Sequence, residues 1–324
     1  MNLKVLVELL SDGQVHSGES LAQRLGISRT AIWKQLRKAQ EQGVEIETIR
    51  GKGYRLQSPV DLLDHDHICA GLGDGLAQQL QLMVLDEVDS TNAEIMRQRR
   101  LPGQATGTLV CLADCQTAGR GRRGRAWQSP KGENLYISFG LGIRGGFSEL
   151  DGLSLVFGVA LAEAIESFGT GPVQLKWPND VYHNGSKLGG ILIELLGELE
   201  EGFIQVVIGI GVNVHMHEAS DVDQAWTSLA RVAPEQQWNR NALAAELVTR
   251  VLAASEAFQA DGFASFHERW TDRDLFRGRS LVTTQGQLVG TGCGIDQDGS
   301  YLIEDEAGNR SPVRAGEISL RIDA

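Results

Sequence analysis

Residues 116–130 read QTAGRGRRGRAWQSP, and four of the six positions from Arg120 to Arg125 are arginine. The glycines at 119, 121 and 124 keep the G-x-G-x-x-G spacing of dinucleotide-binding loops. That motif needs a helix opening within it, so that pyrophosphate meets the helix N-terminus. Here the following residues, RAWQSPKGENLYISF, carry Pro130 and Gly132 and no helical periodicity. No Gly-Lys-Ser/Thr triplet is present either, which removes the P-loop. What remains is a pliable backbone bearing fixed positive charge. Arginine stays protonated and grips carboxylate or phosphate with two parallel hydrogen bonds. Such a loop suits the approach of two anions, for instance a carboxylate and the phosphates of ATP, whose repulsion grows as water leaves. A plain basic surface loop is the bland alternative; the flanking Trp127 and the density of glycines argue against it.

A second group lies in LKWPNDVYHNGSKLGGILIE, where Lys176, Asn179, Asp180 and Lys187 fall in and around a turn. Lys187 precedes Gly189-Gly190, where no side chain would hinder its reach to a ligand phosphate. The strand IGIGVNV ends at Asn213, a side chain able to recognise a base or ribose. Gly209 and Gly211 alone say little, because strand glycines often mark bulges.

These groups need a scaffold, and the chain supplies it in three parts. From about Leu80, LMVLDEV, GTLVCLAD and NLYISFGL read as strands, and LDGLSLVFGVALAEAIESFG as a long amphipathic helix. A strand meander over the KWPND and GIGVNV segments follows, then helix over 241–271. From Leu275 to Ile322, short alternating strands with glycine-rich turns suggest a small barrel. The fold class expected is α+β and multidomain: a DNA-binding domain over 1–60, a central α/β domain with a mixed sheet over 65–271, and an SH3-like β-barrel over 275–324.

The first part is basic on an acidic chain. Residues 1–60 hold nine Lys/Arg against six Asp/Glu, whereas the whole chain carries −12. In SGESLAQRLGISRTAIWKQLRKAQEQG, two helices break at Gly26, and Ser28 is placed to cap the second. Ala31, Ile32, Leu36 and Ala39 recur at helical spacing and face a core, leaving Arg29, Thr30, Trp33, Lys34 and Arg37 outside. VEIETIRGKGYRL then forms a hairpin with Arg50 and Lys52 near its tip. This is the pattern of a winged helix-turn-helix, whose second helix enters the major groove while the wing meets phosphate. A small helical protein-interaction domain is the competing reading; an exposed tryptophan favours a contact surface.

The remaining features exclude rather than identify. No apolar run approaches the roughly 20 residues of a membrane span, and MNLKVLVELLSDG turns polar too soon for a signal peptide. Cys69, Cys111, Cys115 and Cys293 are too scattered for a disulfide framework and lack zinc-site spacing, so Cys111 and Cys115 are expected as buried thiols. A cytoplasmic protein is expected.

Taken in order, GKGYRL, DSTN at 89–92, QTAGRGRRGRAW, KWPND, KLGGILIE, GIGVNV and GEISLR at 316–321 resemble the biotin protein ligases along the whole chain, and most closely their bifunctional bacterial branch, which also represses the biotin operon. The resemblance implies two half-reactions. Biotin carboxylate attacks the α-phosphorus of Mg-ATP to give biotinyl-5′-adenylate and pyrophosphate. A lysine ε-amine of the biotin carboxyl carrier protein of acetyl-CoA carboxylase then takes the acyl group and releases AMP. Carried over by motif, Ser90, Thr91, Asn92, Gln116 and Gly119 belong to the biotin site, joined by Arg120, Arg122 and Lys187. Arg120, Gly121, Arg122, Arg123 and Arg125 fold over the ligand; Lys176 and Asn179 join the ATP/adenylate site, Lys187 contacts the carboxylate and α-phosphate, and Trp127 and Asn213 hold adenine. Lys187, Arg122 and Asp180 are the implied catalytic residues, Asp180 orienting metal or taking the acceptor proton; no metal ligands are singled out. Ser28, Arg29, Thr30, Trp33, Lys34, Arg37, Arg50 and Lys52 are the DNA-facing set, with biotin operator DNA as target and an adenylate-driven homodimer pairing through GGILIELL.

Two departures stand out: an acidic covering loop HMHEASDVDQAW over 215–226, and Gln128 where an aromatic residue is frequent. A lipoate-type ligase and a non-catalytic effector-binding regulator are the alternatives. The first is disfavoured by the GRGRRGR run and the terminal barrel, the second by an intact Arg122 and Lys187.

Overall fold

The computed structural model describes residues 3–10, 12–41, 44, 46–56, 61–101, 107–144, 152–200, 203–219, 222–283, 289–314 and 320–322. The N-terminal unit holds helices α1 (Leu3–Leu10), α2 (Gly18–Leu25) and α3 (Arg29–Glu41), then the antiparallel strands β1 (Ile46–Ile49) and β2 (Gly53–Leu56). Gly26 ends α2 in the left-handed conformation at φ 65°, where a side chain is disfavoured. Ser28 Oγ accepts from Ala31 N at 3.2 Å, so the expected cap of α3 forms. Leu6, Leu10, Leu21, Ile32, Leu36 and Ala39 close a core of their own. Ala31 is half-buried at its margin. The wing is sewn to the segment before α2 by paired bonds between His16 and Tyr54, at 2.9 and 2.8 Å.

The central unit is built on a seven-stranded mixed sheet of order β3-β4-β5-β9-β8-β7-β6. Its strands are β3 (Leu80–Leu85), β4 (Thr108–Ala113), β5 (Asn134–Arg144), β6 (Gln174–Lys176), β7 (Asp180–His183), β8 (Ser186–Glu200) and β9 (Phe203–Asn213). Only β3 and β4 are parallel; every other pair is antiparallel. Helices α4 (His65–Leu72), α5 (Asp74–Ala77), α6 (Thr91–Arg99), α7 (Leu153–Glu166), α8 (Leu229–Val232), α9 (Arg240–Asp261) and α10 (Ala264–Thr271) complete it. α7 departs from expectation. Eleven of its fourteen residues are buried, so it is an apolar helix enclosed on all sides rather than an amphipathic one. The cause is its position, with β6–β8 on one flank and α9 and α10 on the other.

The C-terminal strands β10 (Ser280–Thr283), β11 (Val289–Ile295), β12 (Tyr301–Glu304), β13 (Arg310–Val313) and β14 (Leu320–Ile322) form an antiparallel sheet of order β13-β12-β11-β10-β14. The sheet shares the central core through Leu281, Ile295, Tyr301 and Ile303. Trp177 Nε1 donates to Gly299 O at 3.0 Å, and Tyr301 OH donates to Asp274 Oδ2 at 2.8 Å. Both bonds tie the sheet to the strands around KWPND. GEISLR falls mostly outside the described residues.

The segment entering the central unit is held by a buried polar knot. Arg240, fully buried, donates to the carbonyl of Asp61, to Asn134 O at 2.8 Å and to the Asp114 carboxylate. Asp114 also accepts from Leu63 N at 3.1 Å, and Asn241 bonds Asp64 N and Leu62 O. Burial raises the Asp114 pKa, and the Arg240 charge opposes that rise. All four cysteines are free; Cys111 is buried, its thiol pushed up to about 12 by burial. Cys115 is only half-buried, because it lies past the end of β4, where the strand leaves the core.

Candidate functional site

The strand β4 ends at Ala113, and the chain then runs along residues 88 and 89 before turning out as the arginine loop. Thr117 N donates to Val88 O at 2.9 Å and Ala118 N to Asp89 O at 2.8 Å. The loop is a small hairpin: Trp127 N donates to Gly119 O at 2.9 Å and Gly121 N to Arg125 O at 2.8 Å. Its tip is a 3-10 turn over Arg122–Gly124, with Arg123 at φ 58° and Gly124 at φ 72°. At Gly119 a Cβ would sit 2.6 Å from Trp127 O and from Ser129 Oγ, so glycine is needed for the stem to close.

Beside the loop, Ser90 stands at the start of α6, without a side-chain capping bond, and the helix presents Thr91 and Asn92 in its first turn. The sequence reading found DSTN but not the helix it opens. Gln116 Oε1 accepts from Thr91 N at 2.9 Å, which joins α6 to the loop stem. Asp89 holds the turn by a two-pronged pair with Arg97 at 2.7 and 2.8 Å, and this pairing draws the Asp89 pKa down to about 2.

These elements wall a cleft of about 580 Å³ over the sheet, within the range of small-molecule sites. Ser90, Thr91, Asn92, Gln116 and Trp127 line one part of it, with Arg120, Gly121, Arg122, Arg123 and Arg125 above. Lys176, Asn179, Asp180 and Lys187 line the rest. Residues drawn from four separate sequence motifs therefore meet in one cavity. Arg122 Nη1 donates to Asn179 Oδ1 at 2.9 Å, and burial lowers its pKa while the nearby Asp180 charge works the other way. Lys187 Nζ lies 2.7 Å from Asp180 Oδ1 and 5.4 Å from the centre of the Trp127 ring. Lys176 Nζ donates to Tyr182 OH at 3.1 Å. Arg122, Lys176 and Lys187 thus gather around Asn179, Asp180 and Tyr182, while Thr91 and Gln116 form a separate hydrogen-bonded group.

Gly209 and Gly211 prove to be slots rather than bulges. The register of β9 against β5 and β8 runs unbroken through both. A Cβ on Gly211 would lie 2.7 Å from the Trp127 indole, and one on Gly209 only 2.3 Å from Asn92 Oδ1. The tryptophan and the asparagine lie flat on the strand because those side chains are missing.

Asn213 is buried at the end of β9, just beyond Gly211 and the other residues that line the cleft, and its Nδ2 donates to Thr227 O at 2.9 Å. It anchors the end of the acidic covering loop, whose Ala225 O accepts from Lys187 N and whose Thr227 N donates to Lys187 O, both at 2.9 Å. Asp223 and Gln224 of that loop reach the cleft. Gly119 also lies outside the cleft wall, at the hairpin stem. Glu194 closes the KLGGILIE motif but was given no role, because a lone carboxylate in an apolar strand does not show which side chains it will meet.

Among the described residues no group of three His, Cys, Asp or Glu is placed to hold a metal ion, and no helix is long and apolar enough to cross a membrane. On the N-terminal unit, Ser28, Arg29, Thr30, Trp33, Lys34 and Arg37 are exposed together on α3, and Arg50 and Lys52 are exposed at the wing. Trp33 is 51% exposed, and the Arg37 guanidinium lies 5.6 Å from its ring centre.

A cation-rich cleft on a mixed sheet, carried with a helix-turn-helix unit, defines a ligase-type domain joined to a DNA-binding one. Residues 84–213 match the biotin/lipoate A/B protein ligase family, and residues 2–55 match an HTH domain. The bifunctional ligase/repressor BirA of Salmonella typhimurium is 40% identical over 320 residues, 98% of this chain and 96% of that protein; the Escherichia coli protein of the same name gives the same figures. The Aquifex aeolicus biotin protein ligase, solved in complex with biotin and ATP, is similar in structure with a TM-score of 0.64 and 31% identity, covering 75% of this chain and 99% of that one. The chain belongs to the bifunctional ligase/repressor family of biotin protein ligases.

Proposed function

We propose that the chain condenses biotin with ATP in this cleft, transfers the biotinyl group to a lysine of the biotin carboxyl carrier protein, and represses the biotin operon with the adenylate as corepressor. The observation carrying this reading is the convergence of Arg122, Lys176 and Lys187 at one end of a cavity whose other end holds Thr91 and Gln116. A carboxylate oxygen of biotin attacks the α-phosphorus and pyrophosphate leaves. Displacement of this kind depends on alignment and charge stabilisation more than on a protein nucleophile. Arg122 and Lys187 flank the reacting carboxylate and phosphate, and Lys176 reaches the leaving pyrophosphate. In the second step the acceptor amine attacks the acyl carbonyl and AMP leaves, with Asp180 the carboxylate within reach of the amine's proton.

Magnesium enters as the Mg-ATP substrate. Among the described residues lining the cleft, the carboxylates are Asp180 and Asp223, which suits an ion that keeps water and phosphate oxygens as most of its ligands. Its charge would offset that of the phosphates.

The exposed face of α3 and the wing tip support operator binding, with α3 in the major groove. From Leu192 onward β8 is paired on one side only, by β9, and Leu195 is 46% exposed. That open edge supports side-by-side pairing of two copies, matching a two-fold operator. The C-terminal sheet is read as a small SH3-like barrel, the domain borders as 1–60, 65–271 and 275–324, and the location as cytoplasmic.

Pyrophosphate release tests the chemistry: biotin drives it and lipoate does not, and the reverse result would overturn the assignment. Removing residues 1–60 is expected to eliminate operator binding at physiological salt while leaving pyrophosphate release.

A further inference from the structure

We propose that Glu194, which does not line the cleft, is a positioning residue that sets the donor–acceptor polarity of the biotin-recognising end and tethers Arg120 beside it. The proposal rests on the assignment of Thr91 and Gln116 to biotin made above. Glu194 Oε2 accepts from Asn92 Nδ2 at 2.7 Å, and both Glu194 oxygens lie 3.3 Å from Arg120 Nη2. From Asn92 the hydrogen bonds continue across the end of the cleft. Ser138 Oγ donates to Asn92 Oδ1 at 2.6 Å and lies 2.7 Å from Thr91 Oγ1. Thr91 N donates to Gln116 Oε1 at 2.9 Å, and Gln116 Nε2 to Ser129 Oγ at 3.0 Å. Asn92, Thr91 and Ser138 are all at most 4% exposed, so water does not complete the chain.

An asparagine amide presents an acceptor at one end and donors at the other, and its neighbours decide which faces where. Here the amide occupies the space that a Cβ on Gly209 would fill, 2.3 Å from Oδ1. An ionised carboxylate has no proton to give, so Glu194 accepts the Nδ2 end and turns Oδ1 toward Ser138. Serine has one proton, and Asn92 Oδ1 takes it. The Thr91 hydroxyl lies 2.7 Å from Ser138 Oγ and 3.1 Å from Gln116 Oε1; with the Ser138 proton spent on Asn92, only the Thr91 proton can close the shorter contact, which turns that proton inward and leaves the Thr91 lone pairs to the cleft. The cleft therefore offers acceptors where a ureido ring carries N–H donors. A dithiolane ring has no such donors, so the same arrangement disfavours it. The Arg120 pair adds a second effect: it holds the first arginine of the loop at the biotin end, away from the phosphates.

Steady-state ligation by the full chain with biotin and Mg-ATP tests this. Glu194→Ala is expected to raise the KM for biotin about tenfold, the scale of a hydrogen bond to a charged group, with kcat and the KM for ATP within about twofold. Glu194→Gln keeps an acceptor oxygen but no longer forces the polarity, and is expected to raise it about threefold. A biotin methylated on a ureido nitrogen should be discriminated against by the native protein, and by less in Glu194→Ala. A merely structural role would move kcat and both KM values together and leave that discrimination intact; either result overturns the proposal. If Glu194→Ala does not fold, an unchanged biotin KM and unchanged discrimination in Glu194→Gln overturn it equally. Gln116→Ala separates the two levels. A raised biotin KM there with none in the Glu194 variants sinks only the role of Glu194, whereas no rise in either removes biotin from this end.

Discussion

Arg240 is fully buried and Arg122 half-buried, and their surroundings differ in kind. Arg240 gives its donors to Asp61 O, Asn134 O and the Asp114 carboxylate, all buried with it in the knot that receives the linker. Arg122 has one neutral partner, the Asn179 side chain, and faces a cavity. Lys187 beside it has Asp180 and the Trp127 face, and the same opening in front. A cation whose donors all end on fixed groups serves the fold, because any ligand would have to break bonds already made. A cation with vacant donors and an exchangeable partner is ready for an incoming anion. The residue type is the same; what differs is the partners, and with them the opening to a cavity.

The comparison can be broken most directly at Lys187. Replacing it with Ala should lower adenylate formation by a factor of at least about 10² to 10³, the usual loss when one preorganised charge donor is removed. The melting temperature should barely move. Near-normal pyrophosphate release in that variant would remove Lys187 from the mechanism. Arg240→Ala should behave in the opposite way. It leaves Asp114 buried without its cation, at a cost of about 3–5 kcal/mol, and should lower the melting temperature by roughly 10 °C while turnover per folded molecule stays close to native. Intact stability would show that the knot is not structural. Arg122→Gly should sharpen the contrast further. Adenylate should dissociate about tenfold faster, as expected for the loss of a charge-assisted contact, with little change in melting temperature; trapped release of labelled adenylate reads this out.

The smallest effect concerns the exposed Asp89–Arg97 pair that braces the DSTN turn. Its folded pKa lies below the ordinary carboxylate value of 3.8, at about 2. The stability it contributes is therefore present above pH ~4 and is lost as the pH falls toward 2. Arg97→Ala should abolish that part of the acid transition. Identical acid unfolding curves for the two proteins would show that solvent already screens the pair.

How much of this was legible beforehand varies with the distance over which the determining contacts act. The helix-turn-helix was readable because Gly26, the Ser28 cap and the apolar spacing of Ile32, Leu36 and Ala39 act within a few residues. The arginine loop and KWPND were readable as chemistry for the same reason. The burial of α7 was not, because its polar positions are few and its enclosure comes from α9 and the sheet. Asn213 was readable as a polar side chain at the end of a strand, but its bond to Thr227 O, just past the covering loop, was not, because that partner is brought to it by the fold. The role of Glu194 could not be found by spacing, since its partners Asn92 and Arg120 lie 102 and 74 residues away along the chain.

The amino-acid order by itself determined the inventory: a basic N-terminal reader, a pliable cationic loop, two further lysines and a set of small neutral hydrogen-bonding side chains. These are local properties of composition and spacing, and they survive any arrangement of the elements. Which cations remain open to a ligand, which glycines are slots for Asn92 and Trp127, and which way the amide of Asn92 faces were decided only by the folded structure. Each depends on strand register and on partners brought from distant segments, and hydrogen-bond polarity passes from one group to the next only once those groups touch.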